Sequence, residues 1–183
     1  MKRPSSSQPL PDVLVDRPKV LFVGINPSVR SGEVGHHFAS PGNPFWRLLH
    51  ASGLVPVLLR PDEDSKLAEY GYALTNLCHR PTRAASELST RELEEGAQEL
   101  ARKIATLRPQ VVAFVGLSVY QRCLRLKQSG GAGPKPERIE GARLYALPNP
   151  SGLNANFPGF KQKLVWFEGL KAFLAPGPSE PTT

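Results

Sequence analysis

The sequence is poor in cysteine, and this scarcity excludes several classes of site. Only Cys78 and Cys123 occur among its 183 residues. Two thiols cannot build a disulfide framework, and they cannot supply the four thiolates of an iron–sulfur cluster or of a structural zinc site. They suit a reducing compartment, where such residues serve as small buried hydrophobes. We therefore expect neither a metal nor a cofactor.

Long apolar runs are missing as well. No stretch approaches the roughly 20 residues that a membrane-spanning helix needs. The first residues, MKRPSSSQPLPD, have a basic start but lack the apolar segment of a secretory signal. We expect a soluble, cytoplasmic protein without a membrane partner.

Acidic residues are outnumbered, since 16 Asp and Glu face 23 Lys and Arg, which gives a net charge of +7. A basic surface fits a polyanionic partner, nucleic acid first and an anionic membrane second. Charge alone is weak evidence, because many soluble proteins without such a partner share it.

The usual catalytic motifs are also missing. The sequence has no phosphate-binding loop, no strand–GxGxxG–helix fingerprint, no Gly-x-Ser-x-Gly elbow and no HExxH helix. His36 and His37 are adjacent and point to different faces of most regular backbones, so an ordinary loop or interface role is favoured over a metal pair. The acidic patch 62–64 precedes a helix, and its simplest role is to complement the helix dipole.

Apolar runs alternate with helical patterns along one domain that we place at residues 19–174, between loosely ordered Pro/Ser-rich tails at 1–18 and 175–183. Strands are predicted at 19–25, 72–77, 111–116 and 143–148, because each run is short and continuously apolar. Helices are predicted at 45–52, from a capping box at Ser89 to Leu107, at 117–126 and at 160–174, with a long Gly/Pro loop at 128–141. This alternation indicates a doubly wound α/β fold.

Polar segments follow three of the predicted strands, namely GINP, TNLCHRPT and LPNPSG. Ligands of doubly wound sheets bind at the carboxyl ends of the strands, so a site is expected where these segments meet. By spacing alone, Asn26-Pro27 and the stretch 149–152 are better explained as turns.

Three segments together resemble a known family. VGINPSVRSGEVGHHFASPGNPFW (23–46), TNLCHRPT (75–82) and LPNPSGLN (147–154) are similar to the mismatch-specific uracil and thymine DNA glycosylases of the uracil-DNA glycosylase superfamily. The resemblance runs from about Lys19 to Leu174. It implies a three-layer α/β/α fold with a central, mostly parallel, four-stranded sheet.

The resemblance also implies a reaction. The family flips a uracil, or a related mismatched or damaged pyrimidine, out of double-stranded DNA and hydrolyses its N-glycosidic bond, leaving an abasic site. Asn26 matches the catalytic amide. More efficient branches carry an aspartate there, and an amide can orient a water but cannot act as a base, so we predict slow chemistry.

Other positions are assigned by the same resemblance. Phe38 matches the aromatic residue on which the base stacks, and the backbone amide of Ile25 would bind the pyrimidine. Asn76 matches the amide that reads the base edge in the thymine-type branch. Gly24 and Asn149 complete the expected substrate pocket, although Asn149 stands where other branches use a histidine to stabilise the leaving base. Ser31 is expected to line the region near base C5, where the width of the pocket would decide which pyrimidines fit.

The second Asn-Pro corner is expected to contact DNA. The residues implied are Pro150, Ser151, Gly152, Leu153 and Asn154, with Ser151 on a phosphate and Leu153 as the wedge that enters the base stack. The residues after Leu153 depart from the bacterial pattern and resemble the thymine-type branch. Arg80 and Arg83 fit either phosphate contacts or a solvated face.

Three hypotheses remain open at this point. The first is a monofunctional glycosylase that acts as a monomer, with water as nucleophile because no lysine stands where a Schiff base would need one. The second is a non-catalytic binder of damaged or abasic DNA on the same scaffold. The third, an unrelated nucleotide-binding α/β enzyme, is weakened by the lack of a phosphate-binding loop.

Overall fold

The protein is described by a computed structural model for residues 9–151 and 156–175. Its centre is a sheet with the strand order β2-β1-β3-β5-β4. The strands are β1 (Val20–Gly24), β2 (Tyr72–Asn76), β3 (Val111–Val115), β4 (Gly133–Ile139) and β5 (Ala142–Leu147). The helices are α1 (Val29–Val34), α2 (Phe45–Ala51), α3 (Thr90–Leu107), α4 (Leu117–Cys123) and α5 (Phe160–Leu174), with 3₁₀ segments at Pro61–Tyr70 and Ala85–Glu87.

The four predicted strands are confirmed, and they are parallel to one another. Every residue of β1, β2 and β3 is buried, which explains why these strands are apolar apart from Thr75 and Asn76 at the end of β2. Side chains alternate between the two faces. Phe22 packs towards Phe45 and Phe167 beside α2 and α5, whereas Leu21 packs towards Leu100 beside α3. The three-layer arrangement is therefore confirmed.

The number of strands is a correction, because the sheet has five strands and not four. Strand β4 lies inside the predicted loop 128–141 and pairs antiparallel with β5 at the edge of the sheet. Its sequence, GPKPERI, predicted a loop because it contains two prolines. An edge strand tolerates proline because one row of its amide groups has no ladder partner to lose.

The helix signals are confirmed with small shifts of their ends. The predicted capping box begins α3, where the Ser89 hydroxyl accepts from the Glu92 amide at 3.1 Å and the Glu92 carboxylate accepts from the Ser89 amide at 2.8 Å. Helix α3 ends at Leu107, and Arg108 takes a left-handed conformation before Pro109. No helix within residues 9–151 and 156–175 is long and apolar enough to span a membrane.

The folded part of the chain starts before Lys19, inside the stretch expected to be a tail. Val13 exchanges two backbone hydrogen bonds with Leu74, at 2.9 and 2.7 Å, and both Leu10 and Val13 are buried. The Asp12 carboxylate accepts hydrogen bonds from Thr75 and Lys103. Two apolar anchors in a Pro-rich segment are too few for a periodicity signal, which is why the sequence did not reveal them.

Candidate active site

The carboxyl ends of β1, β2, β3 and β5 border one cavity of about 180 Å³. The cavity is lined by eight of the residues that the sequence singled out: Gly24, Ile25, Asn26, Ser31, Phe38, Asn76, Asn149 and Ser151. Pro150 is buried and lines a neighbouring depression instead. Gly152, Leu153 and Asn154 lie outside the described residues. The structure thus brings Gly24 and Ser151, which are 127 positions apart in the sequence, to one cavity.

The side-chain amide of Asn26 is held in one orientation. Its Nδ2 donates to the Arg80 carbonyl oxygen at 2.8 Å and to Thr82 Oγ1 at 2.7 Å. The Arg80 carbonyl can only accept, and the Thr82 hydroxyl already donates its proton to the Ala84 carbonyl at 2.9 Å. Both partners therefore require the nitrogen, and Oδ1 is left as the acceptor that Asn26 offers to a ligand or water.

Asn76, at the end of β2, is 9% exposed and lines the same cavity. A Cβ atom at position 24 would lie 2.5 Å from Asn76 Oδ1, so Gly24 is needed to let this amide pass β1. No hydrogen bond to its side-chain amide is formed by the described part of the chain. The amide of Asn76 can therefore both donate to and accept from a ligand.

Phe38 forms an apolar wall of the cavity. Its ring stacks on Phe45, with ring centroids 4.0 Å apart and an interplanar angle of 26°. Its backbone has a φ of 50°, in the left-handed region that a bulky residue rarely adopts. Such strain persists only where surrounding contacts impose it, and it is common at functional sites.

Ser31 is buried and ends a chain of hydroxyl groups. Its Oγ accepts from Ser28 Oγ and from the Ala39 amide, each at 3.1 Å. Ser28 Oγ also lies 3.0 Å from Ser40 Oγ. With both acceptor positions of Ser31 used, its hydroxyl proton is what it can offer to a group in the cavity.

Asn149 shapes its own loop. Its Oδ1 accepts from both the amide and the hydroxyl of Ser151, each at 3.1 Å, so its Nδ2 faces outward as a donor. The next carbonyl, that of Pro150, accepts from the buried Lys163 ammonium at 2.8 Å. Burial lowers the pKa of Lys163. The loop is thus anchored to α5 immediately before the segment that the structure does not describe.

Comparison with known proteins identifies the family. The family model of the uracil DNA glycosylase superfamily matches residues 11–171. The chain belongs to the uracil DNA glycosylase superfamily. Its fold is similar to that of a protein from Methanosarcina acetivorans, described as a candidate uracil DNA glycosylase, whose structure was determined in solution by NMR. The TM-score is 0.62 at 20% sequence identity, and the match covers 90% of this chain and 98% of the other.

Membership of this superfamily supports DNA glycosylase activity. The described residues contain no group of three or more His, Cys, Asp and Glu side chains that could hold a metal ion.

Arg80 and Thr82 were not expected to serve the site in the way that the structure shows. The Arg80 guanidinium pairs with Glu92 at 2.7 and 3.1 Å and donates to the Glu87 carbonyl, so it braces α3 and does not reach out as an isolated cation. This pairing and the helix-cap bonds lower the pKa of Glu92 to about 2. The Arg80 backbone carbonyl, in contrast, holds Asn26. The motif TNLCHRPT contains both residues, but only the folded structure shows that the Arg80 carbonyl and the Thr82 hydroxyl are the atoms that bind Asn26.

Asp64 is a second finding that the sequence did not give. The Asp64 carboxylate is buried, whereas the sequence predicted a solvated group at a helix end. Its Oδ2 accepts a hydrogen bond from the His37 amide at 2.9 Å, and its Oδ1 lies 3.3 Å from His36 Nδ1. The two histidines are thus held by one carboxylate, in agreement with an ordinary loop role for the pair.

His37 is expected to make stability depend on pH. Its ring is buried and its Nε2 lies 2.8 Å from the Pro11 carbonyl; desolvation lowers the pKa of His37 below its usual value near 6.5. Above that value both folded and unfolded chains hold a neutral ring, and this residue adds no pH dependence. As pH falls through 6.5, the unfolded chain binds the proton first, so the free energy of unfolding decreases.

The measurement is urea unfolding at pH 7.5 and 5.5 for the wild type, His37→Gln and the exposed-site control His50→Gln. The loss of stability between the two pH values should be smaller in His37→Gln than in the other two proteins. An equal loss in all three would contradict a buried neutral His37.

Proposed function

We propose that the protein is a monofunctional DNA glycosylase that flips uracil out of mismatched double-stranded DNA and hydrolyses the N-glycosidic bond. The observation that carries this proposal is the fixed amide of Asn26, whose nitrogen is held by the Arg80 carbonyl and Thr82 while its oxygen remains available in the cavity. A water that donates to this oxygen is positioned for attack on the sugar.

In the proposed reaction, the bond between C1′ and the base nitrogen breaks, and its electron pair leaves with the base as an anion. Water adds to C1′ and releases its proton to solvent or to the departing base. Asn26 orients the water but takes no proton, because an amide is not a useful base near neutral pH. Among the described residues no lysine lines the cavity, which supports water and not an amine as the nucleophile.

The base is proposed to lie on Phe38, whose other face is covered by Phe45. Stacking of this kind contributes about 1–3 kcal/mol per base. Asn76 would bind the N3 and O4 edge, the Ile25 backbone amide would bind the pyrimidine, and the Ser31 proton suits a carbonyl oxygen. Asn76 would select uracil over a base with an amino group at C4 when its amide nitrogen faces O4 and its oxygen faces the N3–H group.

The DNA duplex is proposed to lie across residues 150–154. Ser151 at the cavity mouth suits a phosphate, and Leu153 would fill the gap left by the flipped base. A net charge of +7 favours the approach of a polyanion.

A second candidate function is a binder that retains damaged or abasic DNA without turnover. It is favoured by one observation: among the described residues that line the cavity, none is a carboxylate, and Asn26 and Asn149 are both neutral. Such a site binds polar ligands but stabilises positive charge on the sugar weakly.

A substrate panel tests the proposal. Oligonucleotides with a single uracil, thymine or ethenocytosine are prepared opposite G and opposite A, and as single strands, and alkali-labile cleavage is followed under single-turnover conditions. We expect release from the G·U duplex above all others, with slow turnover. If the protein binds a uracil duplex tightly but releases no base, the binder and not the glycosylase is the correct function. If it neither binds nor cleaves any damaged duplex in preference to undamaged DNA, both proposals are wrong.

A further inference from the structure

We propose that Asp64 is a positioning residue for base binding, which sets the ring of Phe38 through the backbone of His37. The inference rests on the proposed function, because it concerns the residue on which the flipped base would stack. Asp64 lies in the 3₁₀ segment Pro61–Tyr70, outside the three motifs that carry the family resemblance.

The Asp64 carboxylate is buried, with 7% of the residue exposed, and both oxygens face the loop that precedes Phe38. One oxygen accepts from the His37 amide at 2.9 Å and the other lies 3.3 Å from His36 Nδ1. A hydrogen bond from a backbone amide to an ionised carboxylate is about twice as strong as one between neutral groups. Asp64 therefore fixes the chain at the residue before Phe38.

Helix capping does not explain this carboxylate. The backbone amide of Arg60, the residue before the 3₁₀ segment, already donates to Glu63 Oε2 at 3.0 Å. Asp62 turns outward and pairs with the Arg60 side chain in solvent. Of the three acidic residues in this turn, Asp64 alone is buried, and its bonds lead to the cavity wall.

His37 is held at three points, and Asp64 supplies the first. At the second point, the His37 carbonyl accepts a hydrogen bond from Trp46 Nε1 at 3.2 Å. At the third, Nε2 of the His37 ring lies 2.8 Å from the Pro11 carbonyl oxygen. The residue that follows, Phe38, has the strained φ of 50°. Because a left-handed backbone relaxes unless its neighbours prevent it, loss of one point of attachment should let the Phe38 ring leave its position against Phe45.

The test compares Asp64→Ala and Asp64→Asn with Asp62→Ala as the matched control from the same turn. Affinity is measured for two duplexes: one carries a single 2′-fluorinated deoxyuridine opposite guanine, which resists hydrolysis, and the other carries an abasic site. Asp64→Ala should weaken binding of the uracil analogue about tenfold and change abasic-site binding less than twofold, because only the first duplex places a base on Phe38. Asp64→Asn keeps one acceptor for the His37 amide and should recover part of the loss.

A second readout does not depend on DNA. The chain contains two tryptophans, Trp46 and Trp166, so a ¹H–¹⁵N spectrum shows two indole resonances, and Trp166→Phe assigns them. The Trp46 resonance should shift in Asp64→Ala and stay in place in Asp62→Ala, since its indole donates to the His37 carbonyl.

The failures of the two proposals are distinguishable. If the wild type binds the uracil analogue no better than undamaged duplex, the proposed function fails, whatever the indole spectra show. If the wild type prefers the analogue but Asp64→Ala behaves as Asp62→Ala, or weakens both duplexes equally, the role of Asp64 is overturned.

Discussion

Replacing Asn26 by alanine should lower the rate of uracil release from a G·U duplex by about a hundredfold or more. Misplacing a reacting group by about 1 Å can cost about 10²-fold in rate, and Asn26, held by Arg80 and Thr82, is the residue proposed to position the water. The fold should hardly change, because Asn26 is only partly buried.

Single-turnover cleavage measures this rate, and Gln98→Ala is the matched control, since it removes an exposed amide on α3 far from the cavity. The affinity of Asn26→Ala for the non-hydrolysable duplex should stay within a few-fold of the wild type. Cleavage by Asn26→Ala at the rate of Gln98→Ala would remove Asn26 from the mechanism.

The neighbours of Asn26 also explain why an aspartate would not simply improve this enzyme. A carboxylate in the same pose would place an oxygen 2.8 Å from the Arg80 carbonyl, where the amide nitrogen now donates. Two acceptors at that distance repel, so the carboxylate would have to turn or hold a proton. The neutral residue is therefore matched to its surroundings, and slow chemistry is the expected consequence.

Replacing Gly96 by alanine should destabilise the protein by about 3 kcal/mol, although alanine is the better helix former by up to about 1 kcal/mol. Gly96 lies in the middle of α3, and a Cβ atom there would lie 2.1 Å from the Leu77 carbonyl oxygen and 3.0 Å from its carbonyl carbon. The obstacle is backbone, which cannot rotate away as a side chain can. Either α3 or the end of β2 must move.

The same change should disturb the site. Leu77 follows Asn76 directly, and its amide donates to the Gly24 carbonyl at 2.8 Å. Displacement of Leu77 therefore shifts the amide that is proposed to read the base and the strand end that carries Asn26.

Thermal and urea unfolding measure the effect, with Gln98→Ala again as the control because it introduces alanine at an exposed position of α3. For a chain of this length, a loss of about 3 kcal/mol corresponds to a fall in Tm of about 6–12 °C. If Gly96→Ala were as stable as Gln98→Ala, the close approach of α3 to β2 would be wrong.

Much of the fold was predictable because burial on both faces leaves a simple mark. The four parallel strands are predominantly apolar, and the α3 capping box places two polar residues three positions apart. Strand β4 was not predictable, since a half-exposed edge strand with Pro134 and Pro136 reads as a loop. The pairing of Val13 with Leu74 was not predictable either, because it lies in a Pro-rich segment that reads as a tail.

The candidate site was predictable in its members but not in its atoms. Three segments, GINP, TNL and NPSG, stand at the carboxyl ends of predicted strands, and in a parallel sheet these ends meet at one edge. Asn26, Asn76 and Asn149 could therefore be grouped before any contact was known. Asp64 could not be added to them. Its sequence context is a run of three acidic residues, and nothing local separates it from Asp62.

The sequence by itself determined the four parallel strands, the edge at which the polar loops meet and the neutral residue after β1, because these follow from patterns among neighbouring residues. Tertiary structure alone decided which way the Asn26 amide faces and which carboxylate supports Phe38. The partners of Asn26 lie 54 and 56 residues away, and Asp64 lies 27 residues from His37. Hydrogen bonds across such distances leave no local pattern, so their geometry exists only once the chain has folded.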